Sequence, residues 1–470
     1  MVLLVLGACS FGVTDWSACD APAQCRDAFG FGHTCGEAGL CQPIDDQPRC
    51  DATWPEDLLL RPEEYTDVLV VGSLFDHSTD LPELLSTRLA VKQADESDGV
   101  DGRIVALVQC SYEEDAQIDG LSADEAAVAM ADHLVSLGAY AIVGPATSGV
   151  TEAVYNGVAI RSLFISPSAT SPALTYLDAP DRPEGGAGLL WRTAPPDSLQ
   201  GKVLADLVAS ALGSGGQRVA LVYQLGPYGE GLAEVFVENW ASEVHIADRL
   251  PYESDTQRAS AASAAADAGY DAIVFISSDL PDVSSFLASL AADGDASDTP
   301  IFLADAARDA ELLADTVGTD AEALWPNVSG TSPAVPFGDQ YDAFAAAYSG
   351  AFDGQSASDS SYAAYAYDAA WLTLYGASWA VAGGGAVTPA EAAVGLKHLS
   401  DKAADRIELG PVDWNRAQAA FAEFGAIDAV GASGELDFDP ETEETAGPIE
   451  VWGIRNDDEP EFYVKTLVAP

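Results

Sequence analysis

Short, nearly continuous apolar runs alternate along this chain with longer stretches whose apolar residues recur at helical spacing. The runs include "DVLVVGSL" (67–74), "RIVALVQC" (103–110), "AYAIVGP" (139–145) and "LFISP" (163–167). Further on come "RVALVYQ" (218–224), "DAIVFIS" (271–277) and "PIFLAD" (300–305). Strands that read as apolar without alternation are buried on both faces, as in parallel sheets. Between them, "LSADEAAVAMADHLVSLG" (121–138) carries Ser122 with Glu125 three residues on, a capping box, and ends on Gly138. "QRASAASAAADAG" (257–269) is Ala-rich and therefore helix-forming. Repeated strand–helix units predict right-handed crossovers and open, doubly wound α/β sheets.

In such sheets ligands sit beyond the carboxyl ends of the strands, where loops lead into helix N-termini. Two successive strands here empty into "GPATSGVTEAV" and "SPSATSPALT". Both turns combine Gly or Pro with Ser and Thr. Ordinary N-capping explains either turn alone. Together, hydroxyls and free backbone N–H groups form a neutral receptor suited to one carboxylate.

Charge changes the picture more than composition does. The chain has 470 residues, 75 of them acidic against 20 basic, for a formal net charge of -55. Such a field repels nucleic acid and anionic lipid surfaces, and it predicts a solvated, salt-tolerant exterior. The carboxylates are spread along the sequence, so no acidic active site is read from them. The cysteines indicate an oxidising compartment. Cys19, Cys25, Cys35, Cys41 and Cys50 are crowded together and Cys110 stands apart. With no CxxC pair and only His33 nearby, disulfides are expected rather than zinc, and Cys110 is the expected partner of Cys50. The N-terminal "MVLLVLGACSFG" places Cys9 after Leu-Gly-Ala, a run resembling a bacterial lipobox. No basic region precedes it, as in a truncated signal, and Cys9 is the expected lipidation site.

Six segments taken in order resemble one known family. "IVGPATSGVTEAV" (142–154) and "ISPSATSPALT" (165–175) are followed by "WRTAPPDSLQG" (191–201) and "YGEGLAEVF" (228–236). "YAYDAAWL" (365–372) and "GELDFDPETEE" (434–444) complete the set. They resemble the type I periplasmic solute-binding proteins, specifically the branched-chain amino acid (Leu/Ile/Val) group, and the likeness runs from about residue 65 to 465. The resemblance implies two α/β lobes joined by a three-crossing hinge, with a small zwitterion held between them. By position it assigns the ligand carboxylate to the hydroxyls of Ser148 and Thr170, and the ligand ammonium to the Ser168 carbonyl. Tyr228 closes over the ligand from the second lobe, and Asp305, beside Ala306, takes the place of the family's acidic residue. Asp279 stands where an aromatic residue is expected. It either makes the pocket friendlier to a polar or cationic ligand or is a surface loop residue. The partners implied are an amino acid-like ligand, an ABC permease and a lipid anchor, at the periplasmic or cell-surface side of a membrane.

The expected organisation is a signal over 1–9, a Cys-rich neck over 10–60, lobe 1 over 61–196 and 332–430, and lobe 2 over 197–331 and 431–470. No catalytic residues, metal or cofactor are expected. There is no G-x-S-x-G elbow, and "GASGE" lacks its last glycine. The histidines at 33, 77, 133, 245 and 398 are scattered. "GSGGQ" (213–217) precedes a strand rather than following one, so it is no phosphate cradle. Capture for an importer, surface sensing on the same fold, and a scaffold with a dead site remain as readings.

Overall fold

The computed structural model describes residues 17–50, 52–183, 186–213, 217–240, 242, 245–267, 269–293, 298–456 and 459–470. Cys9 and the expected signal lie outside the described residues.

Every apolar run named above becomes a buried strand. In the first lobe the sheet order is Ala52–Trp54, Val105–Ser111, Leu69–Phe75, Ala139–Val143, Leu163–Ser166, Leu190–Arg192. All neighbours are parallel except the first pair. The second lobe runs His245–Tyr252, Gln217–Gln224, Ala272–Ile276, Ile301–Leu303, Val328–Pro333 in parallel, then adds the antiparallel strands Ile449–Asn456 and Pro460–Val468. Helices cover both faces of each sheet, which gives each lobe a core on either side. The capping box forms as expected: the Ser122 hydroxyl accepts from the Glu125 N–H, and the Glu125 carboxylate accepts from the Ser122 N–H. The helix Ala363–Ala382 is buried almost all round, and its Trp371 and Tyr375 pack edge-on against Trp414 and Phe421 respectively.

The chain leaves the first lobe after Leu190–Arg192, returns after Val328–Pro333, and leaves again near the C-terminus. This last departure comes later than the expected residue 431. Leu436 and Phe438 still pack into the first-lobe core, Phe438 edge-on to Trp191, so the crossing follows Phe438. The crossings lie side by side, with Arg192 bridging to Glu444 and the Ala334 N–H donating to the Pro448 carbonyl at 2.9 Å.

The cysteine-rich neck has two disulfides of its own, Cys19–Cys35 and Cys25–Cys41, and Cys50 joins Cys110 as expected. The neck is narrower than the expected 10–60, because Ala52–Trp54 already pairs with Val105–Ser111 as an edge strand. It also docks on the lobe: Phe31 belongs to the first-lobe core, and Arg26 donates to the Leu137 carbonyl. Among the described residues, no helix is long and apolar enough to cross a membrane.

Candidate functional site

A cavity of 480 Å³ separates the lobes, within the usual range of about 300–1,000 Å³ for small-molecule pockets. Its walls come from residues just past the carboxyl ends of the strands, as the geometry of open α/β sheets requires. Ser148, Ser168, Tyr228, Asp279 and Asp305 all line it.

Ser148 opens the helix Ser148–Gly157, whose N-cap Thr147 accepts from the Val150 N–H. Its oxygen accepts from the Ser171 N–H at 3.1 Å, which leaves its proton to donate into the cavity. Ser168 donates its hydroxyl to the Ala146 carbonyl at 2.9 Å and so ties the two turns together. These small neutral groups at a helix N-terminus are matched to an anion.

Thr170 departs from the expectation. It is fully buried and is not among the residues lining the cavity. Its carbonyl accepts from the Asp197 N–H at 2.9 Å and its hydroxyl faces the Asp197 carboxyl, so it joins the loop to the start of the first hinge crossing.

Asp305, buried at the second lobe's wall, accepts from Gln200 Nε2 at 2.7 Å, from Tyr362 Oη at 2.5 Å and from Tyr228 Oη. Three neutral donors hold the carboxylate without a basic partner among the described residues. Burial, and next the charge of Asp305, hold the Tyr228 and Tyr362 phenols well above their ordinary value. Behind them burial and Asp305 keep the Asp197 carboxyl well above the usual carboxylate range. Ala306 lines the cavity as well.

Asp279 is exposed at the rim, as a surface loop residue would be, and it also lines the cavity. The desolvating wall around it, and then Asp282, push its carboxyl up to about 6. The sequence reading missed Asp80 and Glu83. Glu83 sits in the first turn of the helix Leu81–Asp95, where an acidic residue is unremarkable because it complements the helix dipole. Only the fold shows that it is 5% exposed and faces the cleft. Burial, and next Asp80, push its carboxyl up to about 8, and burial and then Asp76 raise Asp80 to about 6.

A family model described as "Periplasmic binding protein" matches residues 77–440. The chain belongs to this family. As such a binding protein it is extracytoplasmic and not an enzyme. The chemotactic signal transduction system substrate-binding protein BasB of Halobacterium salinarum is 31% identical over 186 residues, which cover 39% of this chain and 41% of that protein. The leucine-specific-binding protein of Salmonella typhimurium is 31% identical over 154 residues, 32% of this chain and 36% of that protein. The matched regions thus span about two fifths of these curated relatives. Among solved structures, LivJ of Streptococcus pneumoniae, in complex with isoleucine, superposes with a TM-score of 0.61 at 22% identity, covering 86% of this chain and 100% of that one. A solute-binding protein of Rhodopseudomonas palustris in complex with 3,4-dihydroxybenzoic acid gives 0.63 at 16% identity, covering 86% and 98%. At these identities the likeness is one of fold.

Proposed function

We propose that this binding protein captures an amino acid or a similar small zwitterion in its interlobe cleft and delivers it to an ABC permease, tethered to the membrane by lipid on Cys9. One observation carries the reading. A neutral hydroxyl-lined turn at a helix N-terminus, with Ser148, faces a buried carboxylate, Asp305, across a single cavity. An anion receptor opposite an anion is the complement of a molecule carrying both charges. The isoleucine complex of LivJ and the name of the leucine-specific-binding protein support the same class of solute.

Ser148→Ala is expected to abolish binding of a carboxylate ligand with the fold retained, as read by thermal shift against the amino acids. A ligand at a hundred times its dissociation constant stabilises the folded state by about 2.7 kcal/mol, well within the reach of such a screen. Unchanged affinity in this variant would reject the site assignment.

A second reading, surface sensing with the same cleft, is favoured by the match to a chemotactic substrate-binding protein and by the docked, cross-linked neck, which a simple flexible tether would not need. Deleting the gene separates the two. Lost uptake of labelled solute supports transport, and intact uptake with a lost behavioural response supports sensing.

A further inference from the structure

The cleft gathers more carboxyl groups than one zwitterion would engage. Besides Asp305, the first lobe contributes Asp80 and Glu83 and the second contributes Asp279 and Asp309. The basic residue in the lining, Arg308, is committed elsewhere: its Nε donates to Glu450 at 2.8 Å and its guanidinium lies over the Phe462 ring. Glu83 is nine-tenths buried, accepts a neutral hydrogen bond from the Ser360 hydroxyl, and meets no basic side chain among the described residues. A buried carboxyl without a counter-charge keeps its proton instead, and a cation seated beside it would stabilise the ionised form. When ionised, these carboxyls also oppose one another across the gap, Asp309 acting on Glu83 and Asp76 on Asp279.

A metal ion is a poor occupant. Among the described residues, the two sets of three or more potential ligands within reach of one ion are the neck cysteines, which are in disulfides, and Asp428, Glu435 and Asp437, which surround Lys402. The cleft carboxylates are too dispersed to converge on a point. They suit a larger, organic cation whose charge lies some distance from its zwitterionic end.

We propose that the solute is an amino acid with a cationic side chain, its α-carboxylate at the Ser148 turn, its α-ammonium at Asp305, and its distal ammonium or guanidinium between Asp80 and Glu83 of one lobe and Asp279 and Asp309 of the other. This rests on the reading of the cleft as an amino acid site. The distal cation is shared by both walls, so it offsets the repulsion that closing the empty cleft would meet. Ligand specificity and lobe closure then have one electrostatic cause.

Titration calorimetry of the whole protein with L-arginine, L-lysine, L-leucine and putrescine tests the assignment, alongside Glu83→Gln and Asp279→Asn. Glu83→Gln keeps the acceptor for Ser360, and Asp279 is exposed, so the second variant folds even where the first does not. Arginine or lysine is expected to bind at least tenfold tighter than leucine, and each variant is expected to narrow that ratio. Leucine binding as tightly as either cationic amino acid overturns this inference and leaves the amino acid reading standing. Putrescine binding as tightly as lysine also overturns it, because the carboxylate end then contributes nothing. An unchanged ratio in both variants overturns the assignment of the distal subsite. Silence from all ligands with the protein folded overturns the amino acid reading itself and this inference with it.

Discussion

Glu83 and Asp305 show two ways of keeping a carboxylate in a desolvated wall. Asp305 is held by three neutral donors from the second lobe and the returning chain. Glu83 has the Ser360 hydroxyl, with Asp80, Asp309 and the Tyr348 phenol as its titratable neighbours. Its carboxyl is pushed up to about 8 from an ordinary 4.5, so the folded state keeps a proton that the unfolded chain has already released. The stability tied to that proton is fully present below about pH 4.5 and is lost as pH rises through about 8. Glu83→Gln should therefore resemble the parent near pH 4 and exceed it increasingly towards about pH 9, by differential scanning calorimetry without ligand. A stability difference that does not grow with pH would show that Glu83 is compensated in the folded state.

At the scale of elements, the two hydroxyl turns work because other parts of the chain set them. Gly144 turns the first at a φ of +99°, and an added Cβ would lie 2.4 Å from the Leu74 carbonyl oxygen, so only glycine fits. The second turn is held from beneath by Arg192, which donates to the Ala169 and Ser171 carbonyls at 3.0 and 2.8 Å, to Thr175 Oγ1 at 3.2 Å, and to Glu444. Burial lowers its pKa to about 10, and the fixed fork of donors is what reaches four acceptors at once. Arg192→Lys, a point charge on a flexible stem, should cost about 2–4 kcal/mol in urea unfolding. A loss near zero would mean that the turn stands without this strut. "WRTAPPDSLQG" was legible as a hinge crossing, but not as the support of a loop that precedes it. That role depends on a residue of the third crossing far along the chain.

For the molecule as a whole, binding depends on how closely the lobes approach. Ser171 of the first lobe donates its hydroxyl to the Pro227 carbonyl of the second at 2.6 Å. Beside that contact, a Cβ on Gly231 would lie 2.8 Å from Ser171 Oγ and 3.2 Å from Pro172 Cδ. Gly231 lies within the helix Pro227–Trp240, where alanine is favoured by roughly 1 kcal/mol. Gly231→Ala should therefore leave the melting temperature unchanged or raised while weakening ligand binding about tenfold. Affinity retained with the added methyl would show that closure does not run through this contact. The net charge of -55 acts at the same scale, as a uniform self-repulsion that salt screens.

The sequence by itself determined the strand–helix alternation, the helix caps, the disulfide-rich neck and the turns bearing Ser148 and Ser168. These are local or periodic signals, written in neighbouring residues. The pairing of Cys50 with Cys110 was also within reach, because an apolar run leads straight into Cys110. What only the tertiary structure decided is which polar residues lose their water. In a chain with 75 acidic residues, nothing local separates Glu83 from a carboxylate on the outer surface. Nor does anything local place Thr170 behind the cavity rather than in it, or carry the last crossing past Phe438. Desolvation is a property of the assembled lobes, and the chemistry of this cleft is set by desolvation.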